Sequence, residues 1–593
     1  MSLNPVPSAE GRKGVRDSRA VILGTAVSPA IQRDMTFPIE HILRRTPPRG
    51  SRFALGAGTD RTGTIWAALL VLQASAVAVV LAALPYPLFE LDRYTIPKEL
   101  VLQVAALAAG LLCLGSARRL TVFAVDALLA GFLLLSSLST LFASNGWLAL
   151  RALGVSLAGI TLFWCARTVA RAGSRAGLLL AVAGAVVLGA LTGLIQAYGL
   201  VNTGLASLSR APGGTFGNRN FMAHLVTVGL PVLLLVTVEA RSRWRFALGS
   251  MGVAVAAAAL VLSRSRAAWL GAGLCGVFLA VEGLWAGRLW AEDRLRRRVV
   301  RLASAAVAGL VLALVLPNRL NWRSHSPYLD SLTGVANYRE GSGRGRVIQY
   351  GNTLDMAASH PLLGVGPGNW PVFYPKYMSP HDPSFDAGDI IPTNPWPSSD
   401  WIAMVAERGF LAFVLLALVG GSVAAGAWAR VRRVSPATPA LSDLTIVATL
   451  IAVVVVGAFD AVILLPVPSF FCWVIIGALT SAARPIRESL LTGRSRRAVM
   501  AGGALVGALF IYRSGAQIAA MGLYSSGKRD AMELASRVDP GSYRIQMLLG
   551  KAWLERGQCD RARPHAEAAR RLFPNHPAPA RLLRACGGAR KHR

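Results

Sequence analysis

The chain alternates long apolar runs with short polar connections over most of its length. A transmembrane α-helix needs about twenty consecutive, mainly apolar residues to cross the hydrocarbon core of a bilayer. Runs that meet or approach this length predict about 12–13 membrane spans. They begin near Gly63, Glu99, Leu120, Trp147, Gly177, Asn220, Phe246, Ala267, Leu302, Trp401, Leu444, Val467 and Ala498. The pattern therefore predicts an all-α, polytopic bundle of transmembrane helices.

Three polar regions flank or interrupt these runs. Residues 1–62 mix Gly, Pro, Arg and Ser without an apolar run, which predicts a flexible basic leader and not a cleavable signal peptide. Residues 318–400 form one long loop, and residues 515–593 form a polar tail. Residues 63–514 are accordingly the predicted transmembrane domain.

Arginines cluster in every second connection between the apolar runs. The clusters lie at residues 118–119, 167–175, 241–245, 294–301, 430–433 and 484–497. Short loops rich in Lys and Arg stay in the cytoplasm, so this distribution fixes an orientation. It predicts a cytoplasmic leader, with the long loop and the tail on the outer face.

Composition supports a membrane protein and excludes several other classes. The 593 residues are 53% hydrophobic and 16% charged, far from the balance of a soluble domain. The net charge of +32 does not predict nucleic-acid binding, because the arginines lie in short clusters between apolar runs. Four of the six cysteines lie inside apolar runs, and no spacing is typical of a zinc or iron-sulfur site. We expect no metal and no cofactor.

Several arginines depart from the cytoplasmic bias of basic residues, because they lie at the predicted outer face: Arg210, Arg219, Arg264, Arg266 and Arg346. An ionisable side chain at a membrane boundary needs a partner. Either an anionic ligand such as a diphosphate supplies one, since the guanidinium fork suits phosphate, or the arginines snorkel and pair with nearby acids.

A glycine-rich turn follows in the long loop. Gly364, Gly366 and Gly368 either turn backbone N–H groups toward an anion or simply connect two helices.

Four segments, in this order, resemble the O-antigen ligase and polymerase superfamily. They read "GGTFGNRNFMAHL", "SRSRAAWLG", "RVIQYGNTLDMAASHPLLGVGPGNW" and "DWIAMVAERG". The resemblance covers roughly residues 63–498 and is most specific between Arg210 and Gly409.

The resemblance implies a metal-independent, GT-C-like glycosyltransferase in the inner membrane of a bacterium. Its donor would be a glycan linked through diphosphate to undecaprenol, and its acceptor a hydroxyl of lipid A core, of another lipid-linked glycan or of a protein. The family's diphosphate-binding arginines correspond best to Arg210, Arg266 and Arg346. Its asparagine pair and its loop glycines correspond to Asn218 and Asn220 and to Gly364, Gly366 and Gly368.

The family's proposed base is absent from this chain. Ligases of this family carry a histidine about nine residues before the glutamate that corresponds to Glu407, and this chain has Ser398 there. A hydroxyl acceptor still needs a group that takes its proton. Asp400 and His360 are the candidates, and each is equally explained as an ordinary polar loop or cap residue. The loss favours a polymerase, or a transferase with an unfamiliar acceptor.

The tail carries the spacing of a tetratricopeptide unit. Leu549, Gly550, Trp553, Gly557, Ala562, Ala569 and Pro574 lie at the offsets of the 34-residue repeat. Such a tail either binds a protein partner or packs on the long loop. Cys559 and Cys586 lie in an oxidising compartment on this topology and are candidates for a disulfide.

Two other functions stay open beside glycan ligation. One is polymerisation of lipid-linked repeats, and the other is a non-catalytic scaffold that displays the tail. A transporter is disfavoured, because the ionisable residues gather at the outer edge and no internal repeat is visible.

Overall fold

The computed structural model describes residues 59–200, 211–284, 287, 292–322, 324, 326–334, 341–379, 382–385, 389–391, 394–434 and 440–588. Most of the predicted leader and Arg210 lie outside these residues. Within them the chain is almost entirely helical, and one antiparallel pair of short strands is present.

The transmembrane part of the described chain contains thirteen helices in up-and-down order. They are α1 (Thr59–Leu81), α2 (Asp92–Ser116), α3 (Ala124–Leu141), α4 (Gly146–Val169), α5 (Arg175–Tyr198), α6 (Arg219–Val238), α7 (Arg243–Ser263), α8 (Arg266–Leu284), α9 (Asp293–Val315), α14 (Phe410–Arg433), α15 (Leu441–Phe459), α16 (Pro466–Leu479) and α17 (Gly493–Ser525). The long loop holds α10 (Pro327–Thr333), α11 (Gly341–Ser359), α12 (Trp370–Tyr377) and α13 (Asp400–Arg408). The tail holds α18 (Arg529–Val538), α19 (Tyr543–Glu555), α20 (Cys559–Leu572) and α21 (Pro577–Gly588). The strands are β1 (Arg119–Val122) and β2 (Arg487–Leu490).

The predicted spans are confirmed as a multi-pass helical bundle. Eleven helical segments of the described chain are long and apolar enough to cross a membrane. One of them, Gly146–Tyr198, bends at Gly173 and so comprises α4 and α5, and α16 is a further, shorter apolar helix. All but one of the predicted starts fall on one of these helices or just before it. The start near Trp401 instead falls on the short loop helix α13, and the membrane-length helix α14 begins at Phe410. The last helix runs past the predicted boundary at residue 514 and ends at Ser525.

The bundle has two distinct ends. The arginine end comprises residues 117–123, 170–174, 239–242 and 480–492, where β1 pairs with β2 in register Arg119 to Leu490. The loop end comprises residues 82–91, 211–218 and 460–465, the described residues of the range 316–400, and the tail. The strands escaped the sequence prediction because four residues carry too little periodicity.

The short helix α16 lies in the centre of the bundle, and all of its residues are buried. Glycines allow its close packing against α4. A Cβ on Gly477 would lie 2.4 Å from the Phe163 carbonyl oxygen, and one on Gly159 would lie 2.5 Å from the Trp473 ring. Because α16 is short, the irregular segment 460–465 that precedes it enters the bundle, where backbone polar groups require partners.

The tail packs on the loop end of the bundle. Arg544 forms an ion pair with Glu90 at 2.9 Å, and Asn575 Nδ2 donates to the Val372 carbonyl oxygen at 3.0 Å. Asn145 Nδ2 donates to the Leu572 carbonyl oxygen at 3.0 Å. Val372 of α12 also shares a hydrophobic cluster with residues of α19 and α20. Contact with the long loop, one of the two alternatives stated for the tail, is therefore present.

We expect Cys559 and Cys586 to form a disulfide in the cell. Their thiols are in contact in the tail, on the face that the arginine distribution predicts to lie outside. Cys113 and Cys165, which also touch each other, lie in α2 and α4 toward the arginine end and should stay reduced. Alkylation of intact cells followed by peptide mass mapping tests both pairs. A reduced tail pair with an oxidised helix pair would contradict the predicted orientation.

Candidate active site at the loop end

The glycine segment before α6 shapes the first part of the loop end. Both Gly213 and Gly214 donate their N–H groups to Gln196 Oε1 at 2.7 Å. Gly217 has φ +69°, and a Cβ there would lie 2.2 Å from the Tyr94 ring, so the backbone passes too closely for any other residue. Asn218 then caps α6, since its side chain accepts from the Asn220 N–H at 3.0 Å. Asn218 thus orients the start of the helix.

Four polar side chains from three elements meet behind this cap, and together they form the histidine cluster: Asn220, His224, Arg346 and Asp460. Asn220 Nδ2 donates to Asp460 Oδ2 at 3.1 Å, and His224 Nε2 lies 3.9 Å from the same oxygen. His224 is fully buried, and neither ring nitrogen makes a hydrogen bond within the described chain. Arg346 of α11 is close enough for its charge to act on the imidazole.

Arg346 itself is half-buried. Its guanidinium makes no hydrogen bond and no ion pair with any residue that the structure describes. A partly buried cation without an ion-pair partner is costly, so this arrangement leaves a position for an anion.

A second group of cations surrounds Trp322. The guanidinium carbons of Arg219 and Arg264 lie 5.2 and 4.6 Å from the ring centroid. Arg264 Nε also donates to Ser331 Oγ at 2.9 Å. Burial lowers the pKa of Arg264, and the charge of Asp330 partly opposes the shift. No carboxylate of the described chain lies within ion-pair distance of Arg264.

Arg266 begins α8 and donates to the Gly334 carbonyl oxygen. The hydrogen bond from Thr227 Oγ1 to the Ala268 carbonyl oxygen, at 3.3 Å, fixes the register of α8 against α6. Thr227 is three residues after His224, and Ala268 is two residues after Arg266. Arg266 therefore lies within about one helical turn of the level of His224. The loop end brings Arg219, Arg264, Arg266 and Arg346 around the start of α6.

Asp400 serves as an anchor for the irregular segment before α16. Its Oδ2 accepts from the Val462 and Ile463 N–H groups at 2.8 Å, and its Oδ1 accepts from the Leu464 N–H at 3.4 Å. The side chain is fully buried, and burial raises its pKa to about 7 against the opposing effect of these donors. These contacts explain Asp400 without a catalytic role, and they hold the segment that begins with Asp460. The role of Asp400 as a base stays a prediction.

The loop glycines pack against α13. Gly366 N–H donates to the Glu407 carbonyl oxygen at 2.9 Å, and Gly368 N–H donates to Glu407 Oε2 at 2.8 Å. Gly364 N–H donates to the His360 carbonyl oxygen at 3.0 Å. A Cβ on Gly364, where φ is +67°, would lie 2.3 Å from the Glu407 backbone. These hydrogen bonds agree with a turn that connects two helices. The role of the three glycines in donor binding stays a prediction.

His360 lies away from the arginines. It follows the last residue of α11, and its Nδ1 lies 3.2 Å from the Met356 carbonyl oxygen. Arg346 is fourteen residues earlier on the same helix, which corresponds to roughly 21 Å along the axis. His360 and the cations therefore do not share one site, and its catalytic role stays a prediction.

Sequence reasoning missed His224 and Asp460. The spacing of Asn220 and His224 could have indicated a polar site, because residues four apart lie on one face of a helix. Both are polar side chains in an apolar run, where polar side chains are often functional. Asp460 is 240 residues from Asn220, so no local pattern links them.

These features define a multi-pass helical membrane protein with a cationic site at one end of its bundle. Residues 251–417 match the family model described as O-antigen ligase. The match places this region in the O-antigen ligase superfamily and supports an enzyme of the ligase or polymerase type. It contains Arg264, Arg266, Arg346 and Asp400. A search of curated proteins gave no match. The tetratricopeptide prediction lies outside the matched residues and stays a prediction.

We expect Asp400→Ala to destabilise the protein and Asp400→Asn to leave it nearly unchanged. Alanine leaves one buried and two part-buried N–H groups without their acceptor, which costs about 2–5 kcal/mol. The asparagine carbonyl still accepts from Val462 and Ile463. Thermal unfolding of the purified protein in detergent measures both, with the exposed Asp355→Ala as control. A stable Asp400→Asn protein that has lost glycan transfer would instead identify Asp400 as the base.

Proposed function

We propose that the protein transfers a glycan from an undecaprenyl-diphosphate carrier to an acceptor hydroxyl, at the loop end and on the periplasmic face of the inner membrane. The observation that carries the proposal is the half-buried guanidinium of Arg346, which has no carboxylate at ion-pair distance among the described residues. The family match over residues 251–417 supports the same reaction type.

The donor diphosphate is proposed to bind among Arg219, Arg264, Arg266 and Arg346. Each guanidinium presents a planar fork of N–H donors that matches phosphate oxygens. As the bond between the sugar and the phosphate oxygen breaks, negative charge grows on the leaving diphosphate. Preorganised cations stabilise that charge and lower the barrier. Arg210 is part of the same proposal by resemblance and lies outside the described residues.

The acceptor side needs a group that takes a proton. The acceptor oxygen attacks the anomeric carbon, its O–H proton passes to a base, and the diphosphate leaves. Asp460 is better placed for this than Asp400 or His360, because it lies in the histidine cluster beside Arg346 and its side chain is 13% exposed. Asn220 orients its Oδ2 by a hydrogen bond, and His224 Nε2 lies 3.9 Å from the same oxygen. Asp460 is thus the proposed base in a chain with Ser398 at the family's histidine position.

Two further functions remain as alternatives. Polymerisation uses the same donor chemistry with a second lipid-linked glycan as acceptor. Surface polysaccharide from a deletion strain separates it from ligation, because a lost polymerase leaves single repeats and a lost ligase leaves full-length chains on the carrier. If Arg266→Ala leaves the glycan unchanged while deletion of residues 529–588 removes the phenotype, the protein is a scaffold.

We expect Arg346→Ala and Arg264→Ala each to slow glycan transfer roughly 100-fold, since each removes a cation from the leaving group. Arg346→Lys keeps the charge and loses the fork, so its rate should be intermediate. The initial rate is measured in membranes of the deletion strain carrying each variant. Arg344→Ala removes an exposed arginine from the same helix and should be silent. Equal rates for Arg344→Ala and Arg346→Ala would contradict the donor site.

We expect Asp460→Asn to lower the transfer rate by roughly 100-fold or more, while donor binding stays unchanged, because general-base catalysis contributes about 10²–10⁴-fold. Asp355→Asn, an exposed acid of α11, is the control. A fully active Asp460→Asn protein would exclude Asp460 as the base.

A further inference from the structure

A cavity of about 1610 Å³ lies at the arginine end, opposite the proposed active site. Its walls come from α1, α2, α3, α4 and α17, and β1 lies at its rim. Toward the loop end the cavity is closed where α17 approaches α4, since a Cβ on Gly154 would lie 2.7 Å from the Phe510 ring. Gly502 and Gly503 face open space, because a Cβ on either of them would have no neighbouring atom within 4 Å.

The cavity opens sideways toward lipid. Trp66, Leu120 and Val499 line it, and 55%, 47% and 51% of their surfaces are exposed. The helices around it are apolar enough to cross a membrane. Its volume exceeds the roughly 300–1,000 Å³ of an ordinary small-molecule pocket. The walls therefore suit hydrocarbon chains.

Arginines line the end of the cavity that faces the membrane boundary. Two of them are neutralised by acids, Arg167 by Asp126 at 2.8 Å and Arg119 by Glu488 at 3.1 Å. Arg171 donates to the carbonyl oxygen of Ala483 at 3.0 Å, which carries no net charge.

The fourth arginine, Arg118, makes no side-chain hydrogen bond or ion pair with the described residues. Arg118 and Arg171 therefore add two positive charges that no carboxylate of the described chain balances at ion-pair distance.

We propose that this cavity binds an anionic phospholipid, with its acyl chains between α17 and α4 and its phosphate against Arg118 and Arg171. Apolar walls with an unbalanced basic rim match an amphiphile with a negative headgroup. Basic pockets between transmembrane helices favour such lipids, and the leaflet predicted here, the cytoplasmic one, is the anionic one. The site is separate from glycan transfer.

Native mass spectrometry of the full-length protein in detergent tests the proposal. Wild type, titrated with phosphatidylglycerol or phosphatidylcholine, should retain phosphatidylglycerol preferentially. Arg118→Gln with Arg171→Gln should weaken that retention at least roughly tenfold, because the two arginines supply the attraction to the anionic headgroup. Arg243→Gln with Arg245→Gln removes two exposed arginines from the same end and should have no effect.

A second variant tests the contribution of the apolar cavity independently of the arginines. Gly503→Phe fills the open space without changing any arginine and should also reduce phosphatidylglycerol retention. Unfolding midpoints of all variants check that the fold is intact. Equal retention of both lipids, equal loss in the control pair, or preferential retention of a polyprenyl phosphate would overturn the proposal.

Discussion

Two buried carboxylates of α13 hold the loop end together. Asp400 accepts the backbone N–H groups of the segment before α16, and Glu407 accepts those of Gly368 and Trp370 in the glycine turn. Burial raises the pKa of Glu407, and these donors and the charge of Arg408 oppose the shift. One short helix thereby satisfies two stretches of irregular backbone. Asp460 and the long loop depend on it for their positions.

The charged side chains at the two ends of the bundle are subject to the same requirement, that a buried polar group needs a partner. Several arginines near the bundle interior form ion pairs, as Arg151 does with Glu99 at 2.8 Å. No carboxylate of the described chain lies at ion-pair distance from Arg264 or Arg346 at the loop end. The same is true of Arg118 and Arg171 at the arginine end. Because a partly buried charge without an ion-pair partner is costly at a membrane boundary, we infer that an anionic ligand completes the loop end. At the arginine end the exposed guanidinium groups attract an anionic headgroup. The ligands differ in kind, a diphosphate at one end and a phospholipid at the other.

Much of the fold was predictable from the sequence, because apolar length and arginine bias act locally. The run before Asp460 and the run from Leu302 both proved to be helices. The candidate site was predictable only in part. Arg266 and Arg346 were found from their position on the predicted outer face and again by resemblance, and Asn220 was found by resemblance. The pairing of His224 with Asp460 depends on helix packing between distant parts of the chain. The glycine turn was ambiguous from the sequence, because glycines with positive φ occur both where two backbone segments pack closely and where backbone N–H groups bind an anion.

Binding of a polyprenyl diphosphate is the most direct test of the proposal that the arginines of the loop end hold the donor diphosphate. Farnesyl diphosphate is titrated against the protein in nanodiscs, with Arg344→Ala as the matched control for Arg346→Ala. We predict that wild type and Arg344→Ala bind farnesyl diphosphate alike. Arg346→Ala and Arg264→Ala should bind it at least roughly tenfold more weakly, and wild type should bind farnesyl monophosphate less tightly than the diphosphate. Equal binding by all four proteins would contradict the proposal.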